Sequence, residues 1–199
     1  MSQIKSRDRV RDLAEVYTNE REVNAMLDLI PLKRPEDIIP YKYLEPACGN
    51  GNFLVAILQR KLNAVNKKYS KGSLKTYEFY VTRALSTIYG VDICPENVEE
   101  ARARLFTEIK SNFDLHWGSF IYSDGYLPLI HYILEKNIVV GDTINKTDQI
   151  EFVDFKVQSR RFEQRFYNFS DLSKENPKPV RTIPLNYFLK IGLEYEGNN

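Results

Sequence analysis

The 199-residue sequence lacks the long apolar stretches that mark membrane and secreted proteins. Its apolar runs are a few residues long, well short of the roughly 20 residues needed to cross a bilayer. The first residues, MSQIKSRDRVRDLAEVY, do not contain the apolar segment of a signal peptide. Cysteine is scarce too, with only Cys48 and Cys94. These absences exclude a disulfide framework and predict a protein of the reducing cytoplasm that does not enter a membrane.

The chain also has no excess of charge of one sign and few candidate metal ligands. Its 28 Lys and Arg residues balance 27 Asp and Glu residues to a net charge of +1, so bulk charge does not indicate a polyanionic partner. His116 and His131 have no cysteine or carboxylate at ligand spacing, and no metal site is predicted. Aromatic residues are abundant, with 13 Tyr, 11 Phe and 1 Trp, and hydrophobic residues make up 43% of the chain. A globular domain with a real core is expected.

Strand and helix signals alternate along the chain as far as Asp142. Short buried strands are predicted at residues 41–45, 89–93 and 138–142, with two helices between each successive pair. This alternation is typical of an α/β domain with a mainly parallel sheet and flanking helices. We therefore expect a single domain over residues 1–199. Its parts are a helical segment (1–40), a core (41–145), and the remaining strands and tail (146–199).

The signals weaken after Asp142. Alternating residues predict strands at 152–157 and 161–169, whereas Pro177, Pro179 and Pro184 interrupt the tail. Basic residues are interleaved with aromatic ones in this region, a composition that suits contact with nucleic acid. A half-buried edge strand with a solvated face explains the same pattern and is the favoured interpretation.

The most informative segment is LEPACGNGNFL, residues 44–54. It places a turn with Gly49 and Gly51 between a strand and the start of a helix. Glycine in such a turn lets a ligand approach the backbone closely, and the free N–H groups of a helix start favour an anionic or carboxylate-bearing ligand. Leu54 stands where the dinucleotide fingerprint has its third glycine, which disfavours a pyrophosphate.

Acidic residues end the second and third predicted strands. Asp92 is positioned to accept hydrogen bonds from a ribose diol, and Asp142 follows Gly141 at the end of the next strand. The carboxyl ends of parallel strands meet at one edge of the sheet, where ligands bind. Glycine and acidic residues also occur at strand ends for turn and capping reasons. The ordered set nevertheless favours a nucleoside-type ligand.

Residues 45–54, EPACGNGNFL, closely resemble the S-adenosylmethionine motif of bacterial N6-adenine DNA methyltransferases, acid-Pro-Ala-Cys-Gly-x-Gly-x-Phe-Leu. Residues 15–18, EVYT, resemble the first cofactor motif of this family. Residues 89–93 resemble its ribose-binding strand end, and residues 139–142 resemble the strand whose Asp meets the adenine amino group. The resemblance covers about residues 9–145 and is greatest to methylase subunits and fused methylases of restriction–modification systems. It implies a Rossmann-like class I methyltransferase domain.

The resemblance also implies roles for individual residues in holding S-adenosylmethionine. The methionine end would be lined by Tyr17, Thr18, Glu45, Pro46, Ala47, Cys48, Gly49, Gly51 and Phe53. The ribose and adenine would be met by Asp92, Ile93 and Asp142. Cys48 is expected to serve as a small turn residue rather than as a nucleophile.

Two departures from the family pattern stand out. Asn19 occupies the place of the usual Pro after the aromatic-Thr pair, where Pro only stiffens the loop. More importantly, the catalytic tetrapeptide, an Asn/Asp/Ser-Pro-Pro-aromatic loop that holds the flipped adenine, has no match. It would be expected near residues 152–157. The nearest approximation is NPKP at residues 176–179, followed by Val180 instead of an aromatic residue.

Three hypotheses follow. The first is a DNA adenine methyltransferase, or its cofactor-binding part, which acts on DNA with a partner chain such as a specificity, restriction or second methylase subunit. The second is a catalytically inactive accessory or regulatory protein that binds S-adenosylmethionine. The third, a small-molecule or protein methyltransferase, is disfavoured by the Pro-Ala-Cys-Gly-x-Gly-x-Phe-Leu turn.

Overall fold

Helices and strands alternate through the first two thirds of the described chain, and an antiparallel sheet follows. The computed structural model describes residues 19–118 and 120–198. The helices are α1 (Glu20–Asp28), α2 (Asn52–Tyr69), α3 (Leu74–Leu85), α4 (Pro95–Trp117), α5 (Tyr126–Asn137) and α6 (Phe188–Glu196). The strands are β1 (Tyr43–Glu45), β2 (Ile88–Asp92), β3 (Ile138–Val140), β4 (Glu151–Gln158), β5 (Arg161–Asn168) and β6 (Arg181–Tyr187).

The first sheet is parallel, with strand order β1-β2-β3. Glu45 pairs with Gly90, and Asp92 pairs with Val140. The connections α2–α3 and α4–α5 cross between neighbouring strands, as the alternation of signals predicted. The expected α/β architecture with a parallel sheet and flanking helices is therefore confirmed.

The helices bury faces with helical spacing. In α2 the residues Leu54, Leu58, Leu62 and Val65 are buried, so one stripe of the helix faces the core. The polar segment at residues 67–76 is mostly helical: α2 continues to Tyr69, and Ser73 caps the start of α3. No helix within residues 19–118 or 120–198 is long and apolar enough to cross a membrane.

The second sheet is antiparallel, with order β4-β5-β6. The expectation of a mainly parallel sheet therefore holds only for the first three strands. Phe155, Phe162 and Phe166 are buried, whereas Lys156 and Arg161 are exposed, which agrees with a half-buried strand pair. The sheet thus turns aromatic residues of the tail inward, towards the helices.

The last part of the tail contains elements that the sequence did not predict. Pro184 lies within β6, an edge strand whose pairing with β5 shifts register between Phe162 and Gln164. Proline is tolerated at such an edge or bulge because its missing N–H is not needed there. Helix α6 then packs against α5. The tail therefore contains a helix in addition to its strands.

A buried lysine joins α2 to the segments that flank β1 and β2. Lys61 is fully buried. Its Nζ donates hydrogen bonds to the carbonyl oxygens of Ile39 and Tyr41, at 3.1 and 2.6 Å, and to Thr87 Oγ1, at 2.5 Å. Burial, with a smaller contribution from Arg83, lowers the pKa of the Lys61 amine well below its usual value. Three acceptors match its three possible donors, which explains how a lysine is accommodated there.

Candidate functional site

The carboxyl ends of the three parallel strands meet at one edge of the sheet. Gly49 N donates to Asp92 Oδ2 at 2.8 Å, and Cys48 N donates to Val91 O at 2.8 Å. Gly141 N donates to Asp92 O at 3.0 Å. The structure therefore brings together the turn after β1, the end of β2 and the loop after β3. Tyr17 and Thr18 lie outside the described residues.

The turn after β1 depends on two glycines with left-handed backbone angles, Gly49 with φ of 52° and Gly51 with φ of 87°. Residues with a side chain rarely adopt these backbone angles. A Cβ at Gly51 would also lie 3.0 Å from Ala101 Cβ on α4. Gly51 thus has a packing role between α2 and α4. A substitution at Gly51 would disturb this packing whether or not a ligand binds at the turn.

Asp92 is already engaged with the protein through both carboxylate oxygens. Oδ2 accepts from Gly49 N, and Oδ1 accepts from Cys94 N at 2.9 Å and from Asn97 Nδ2 at 3.3 Å. A carboxylate offers about four acceptor positions, so one remains for a further donor, and the long Asn97 bond is the weakest of the three. Asp92 therefore fixes the turn and still has acceptor capacity at the sheet edge.

The loop after β3 is anchored to the turn after β1. Thr143 Oγ1 donates to Pro46 O at 3.2 Å. The half-buried Asp142 accepts from the backbone N–H groups of Ile144 and Asn145 and from the Asn145 side chain, all at 2.9 Å. These bonds, those from Asn145 foremost, lower the pKa of Asp142. Asp142 is therefore held as a carboxylate at the solvent side of the edge.

Small residues let the turn lie against β2. A Cβ at Gly90 would lie 2.7 Å from Leu54 Cδ1 and 3.1 Å from Cys48 Sγ, so Gly90 leaves the space that Cys48 and Leu54 fill. Ala47 N donates to Glu45 Oε1 at 3.4 Å, and burial raises the pKa of Glu45. Gly90 therefore lets the turn after β1 pack directly against β2.

Two apolar residues of the predicted site have contrasting environments. Phe53 packs against the core as a half-buried side chain, whereas Ile93 is 60% exposed immediately after Asp92. A large exposed aliphatic group beside a polar edge is available to cover an apolar ring face of a ligand. The geometry at Ile93 is compatible with the adenine contact that the family resemblance implies.

The thiol of Cys48 is expected to be unreactive in the folded protein. Burial first, and then the carboxylates of Asp92 and Glu45, raise the pKa of its thiol to about 12. At pH 8 roughly one thiol in 10,000 would be ionised, and the thiolate is the reactive form. We expect iodoacetamide at pH 8 to leave Cys48 unmodified in the folded protein over a time in which the urea-unfolded chain reacts completely. Peptide mass spectrometry measures this, and rapid alkylation of folded Cys48 would contradict the buried position.

Residues that the sequence analysis did not select also shape the edge. Asn50 Nδ2 donates to Glu100 Oε1 at 2.7 Å, and Arg104 donates to Asn50 O at 2.7 Å. Asn50 Oδ1 is buried and finds no hydrogen-bond partner among the described residues, an arrangement that is uncommon unless something else occupies the position. Asn50 stands between the two glycines of the motif, which was a usable signal. Arg104 lies on α4, far along the sequence, and no local pattern indicated it.

The charged groups of the edge are distributed in a way that does not indicate a metal centre. No group of three or more His, Cys, Asp or Glu side chains placed to hold a metal ion occurs in the described ranges. The site instead offers backbone N–H groups, carboxylate acceptors and an exposed aliphatic side chain. Comparison with models of protein families, with curated proteins and with solved structures finds no match to this chain.

Proposed function

We propose that the chain binds S-adenosylmethionine at the carboxyl edge of β1–β3 and forms the cofactor-binding part of a DNA adenine-N6 methyltransferase of a restriction–modification system. The observation that carries the proposal is the hydrogen bond from Gly49 N to Asp92 Oδ2. It joins the glycine turn to the acidic strand end, the two features on which the resemblance to these enzymes depends. The acidic end of β2 is the position at which nucleotide-binding sheets of this kind hold a ribose.

The described residues fit the cofactor chemically. Asp92 keeps acceptor capacity for a ribose hydroxyl, and Ile93 presents an aliphatic surface beside it. Asn50 Oδ1 is a buried acceptor without a partner in the described part of the turn. Glu45 provides a further carboxylate near the turn, opposite in charge to an ammonium group. These features suit a ligand with a diol, an adenine ring and an amino-acid end.

The chemistry of the proposed reaction is a direct methyl transfer. Bound S-adenosylmethionine supplies a methyl group on a sulfonium, the new bond forms to adenine N6, the electron pair of the broken bond stays on sulfur, and N6 loses one proton. The residues of this chain contribute by positioning, which lowers the barrier by holding reactants in the reactive geometry. The acceptor for the amino proton belongs to the target-base loop, for which we propose a partner chain.

Calorimetry with S-adenosylmethionine tests the proposal. We expect the wild-type chain to bind and Asp92→Ala to bind much more weakly, because hydrogen bonds to a charged acceptor contribute roughly 1.5–3 kcal/mol each. Asp114→Ala, which removes an exposed carboxylate from α4, is the matched control and should bind like the wild type. Absence of binding to the wild-type chain would refute the proposal.

Because Asp92 also accepts a hydrogen bond from Gly49 N, Asp92→Ala could weaken binding by disturbing the turn rather than by removing a ribose contact. A modified ligand distinguishes these two effects. S-Adenosylhomocysteine and its 2′-deoxy analogue are compared on the wild type and on Asp92→Ala. Loss of the hydroxyl should weaken binding to the wild type by about tenfold to a hundredfold and should hardly affect the variant, which has no acceptor left to lose. An equal effect in both proteins would remove Asp92 from the ribose site.

One observation favours the second candidate function, a cofactor-binding protein without its own catalytic activity. Residues 152–157, where the target-base loop was expected, lie within β4 and pair with β5 along the whole strand. A strand hydrogen-bonded in this way does not offer a free loop to a flipped base. Binding of S-adenosylmethionine without methyl transfer in any reconstituted complex would favour this candidate.

A further inference from the structure

A cavity lies beside β1, away from the proposed cofactor site. It has a volume of about 270 Å³. We call it the β1 cavity; its walls include Lys42, Leu44, Tyr89, Phe152, Asp154 and Tyr167. Tyr89 precedes Asp92 by three positions on β2, which is about 10 Å along a strand. Tyr89 and Gly90 alternate in the strand, so the cavity lies on the face opposite to the one that α2 covers.

A buried hydroxyl at the β1 cavity has no hydrogen-bond partner among the described residues. Tyr89 is only 8% exposed, and its hydroxyl makes no hydrogen bond to any residue in the ranges 19–118 and 120–198. Burial, followed by the charges of Asp154 and Tyr167, raises the pKa of Tyr89. Buried hydroxyls are normally paired with protein or water, so this group is suited to a ligand.

The walls combine flat aromatic surfaces with a neutral charge pair. The rings of Tyr89 and Phe152 meet edge to face with centroids 5.4 Å apart, and Tyr167 is the cross-strand partner of Phe152. Lys42 Nζ lies 2.8 Å from Asp154 Oδ1, so a donor and an acceptor stand side by side without net charge. Leu44, on an edge strand, remains 41% exposed, and the cavity is therefore accessible.

These features select the chemical class of the ligand. A volume near the lower end of ligand pockets, about 300 Å³, suits one small ring system. Aromatic walls favour a flat ring, and the absence of net charge disfavours a free anion. The Tyr89 hydroxyl and the Lys42–Asp154 pair together offer several donors and acceptors. The edge of a nucleobase carries such groups next to one another, whereas an aromatic amino-acid side chain carries at most one.

We propose that the β1 cavity binds a nucleobase, in contact with the rings of Phe152 and Tyr167 and hydrogen-bonded to the Tyr89 hydroxyl and the Lys42–Asp154 pair. The base can belong to a free nucleoside or to an unpaired nucleotide of a single strand, since both present the same ring and edge. The proposal does not depend on the cofactor site, with which the cavity shares no wall residue.

Methyl NMR of the leucine-labelled full chain tests this site directly. Leu44 and Leu172 line the cavity, whereas Leu54 is a buried residue of α2 outside the cavity. Titration with adenosine, cytidine and thymidine should shift the methyl signals of Leu44 and Leu172 and leave those of Leu54 in place. A single-stranded oligodeoxynucleotide, titrated separately, distinguishes the source: tighter binding than that of its nucleosides identifies a strand. No shift with any of these probes would overturn the proposal.

Two variants and two controls define the contacts. Tyr89→Phe should weaken nucleoside binding by about threefold to tenfold through one lost hydrogen bond, and Tyr167→Ala by about fivefold or more through the lost ring. Tyr126→Phe removes another buried hydroxyl that lacks a partner in the described chain, outside the cavity, and should leave binding unchanged. Asp114→Ala, at an exposed position on α4, should also leave it unchanged. Equal affinity of Tyr89→Phe, Tyr167→Ala and wild type would overturn the proposed site.

Discussion

Replacement of Gly192 by alanine is expected to lower the free energy of unfolding by about 3 kcal/mol. A Cβ at this position would lie 1.9 Å from Gly125 O and 2.8 Å from Leu129 N. Both are backbone atoms at the start of α5, so no side chain can move aside to make room. For a chain of this size the change corresponds to a decrease in Tm of about 6–12 °C. Urea and thermal unfolding, followed by circular dichroism, measure both quantities.

Gly197→Ala is the matched control for this variant. Gly197 follows α6 directly, and a Cβ there would lie 3.5 Å from Leu193 O, an ordinary contact distance. This substitution should change the stability by no more than about 0.5 kcal/mol. If both variants were equally stable, the close approach of α6 to α5 would be wrong, and with it the position of the tail.

The alternation of patterns was sufficient to predict the parallel sheet, because each short apolar run is followed by helical spacing. Residues 138–142, for example, were expected to form a strand, and β3 covers Ile138–Val140. The convergence of Gly49 and Asp92 also followed from local signals, since parallel strands end at a common edge. Such predictions need only the period of the pattern and the order of the elements.

The second sheet was harder to predict because its pairing depends on a turn with an unusual sequence. Ser159 and Arg160 join β4 to β5, with φ of 47° and 61°. Tight hairpin turns with two such residues usually carry Asn-Gly or Asp-Gly, so the sequence gives no hairpin signal here. Strand β6 was missed because Pro184 indicates an interruption unless the edge position is known.

Side-chain and backbone contacts between elements that no motif marks could not be predicted from the sequence. Lys61 lies on α2 and belongs to a residue type that is usually exposed to solvent. It is nevertheless buried, and its Nζ donates a hydrogen bond to Tyr41 O. The Gly192 contact with Gly125 and the unpartnered hydroxyl of Tyr89 likewise depend on how elements pack. No period or motif records such contacts. They are nevertheless the features on which the stability prediction and the β1 cavity depend.

The antiparallel second sheet also bears on catalysis. In the methyltransferases that the sequence resembles, the target-base loop follows the fourth strand. In this chain the corresponding residues 152–157 form part of β4, and all of them pair with β5. Residues 176–179 are irregular, and Pro177 lies at the β1 cavity. The segment has Lys178 and Pro179 where the tetrapeptide needs its second proline and its aromatic residue. A net charge of +1 adds little attraction to duplex DNA, whose binding requires neutralisation of several phosphates.

We therefore expect the purified chain alone to transfer no tritium from labelled S-adenosylmethionine to mixed-sequence DNA above the level of a reaction without protein. An active DNA adenine methyltransferase in a parallel reaction shows that label and DNA are competent, and addition of the products of neighbouring genes tests for the partner that supplies the target-base loop. Labelling that appears only with a partner agrees with a split enzyme. Robust labelling of adenine by the chain alone would contradict the prediction. Asp154→Ala and Asn176→Ala would then show which of these residues accepts a hydrogen bond from the adenine amino group in place of the tetrapeptide.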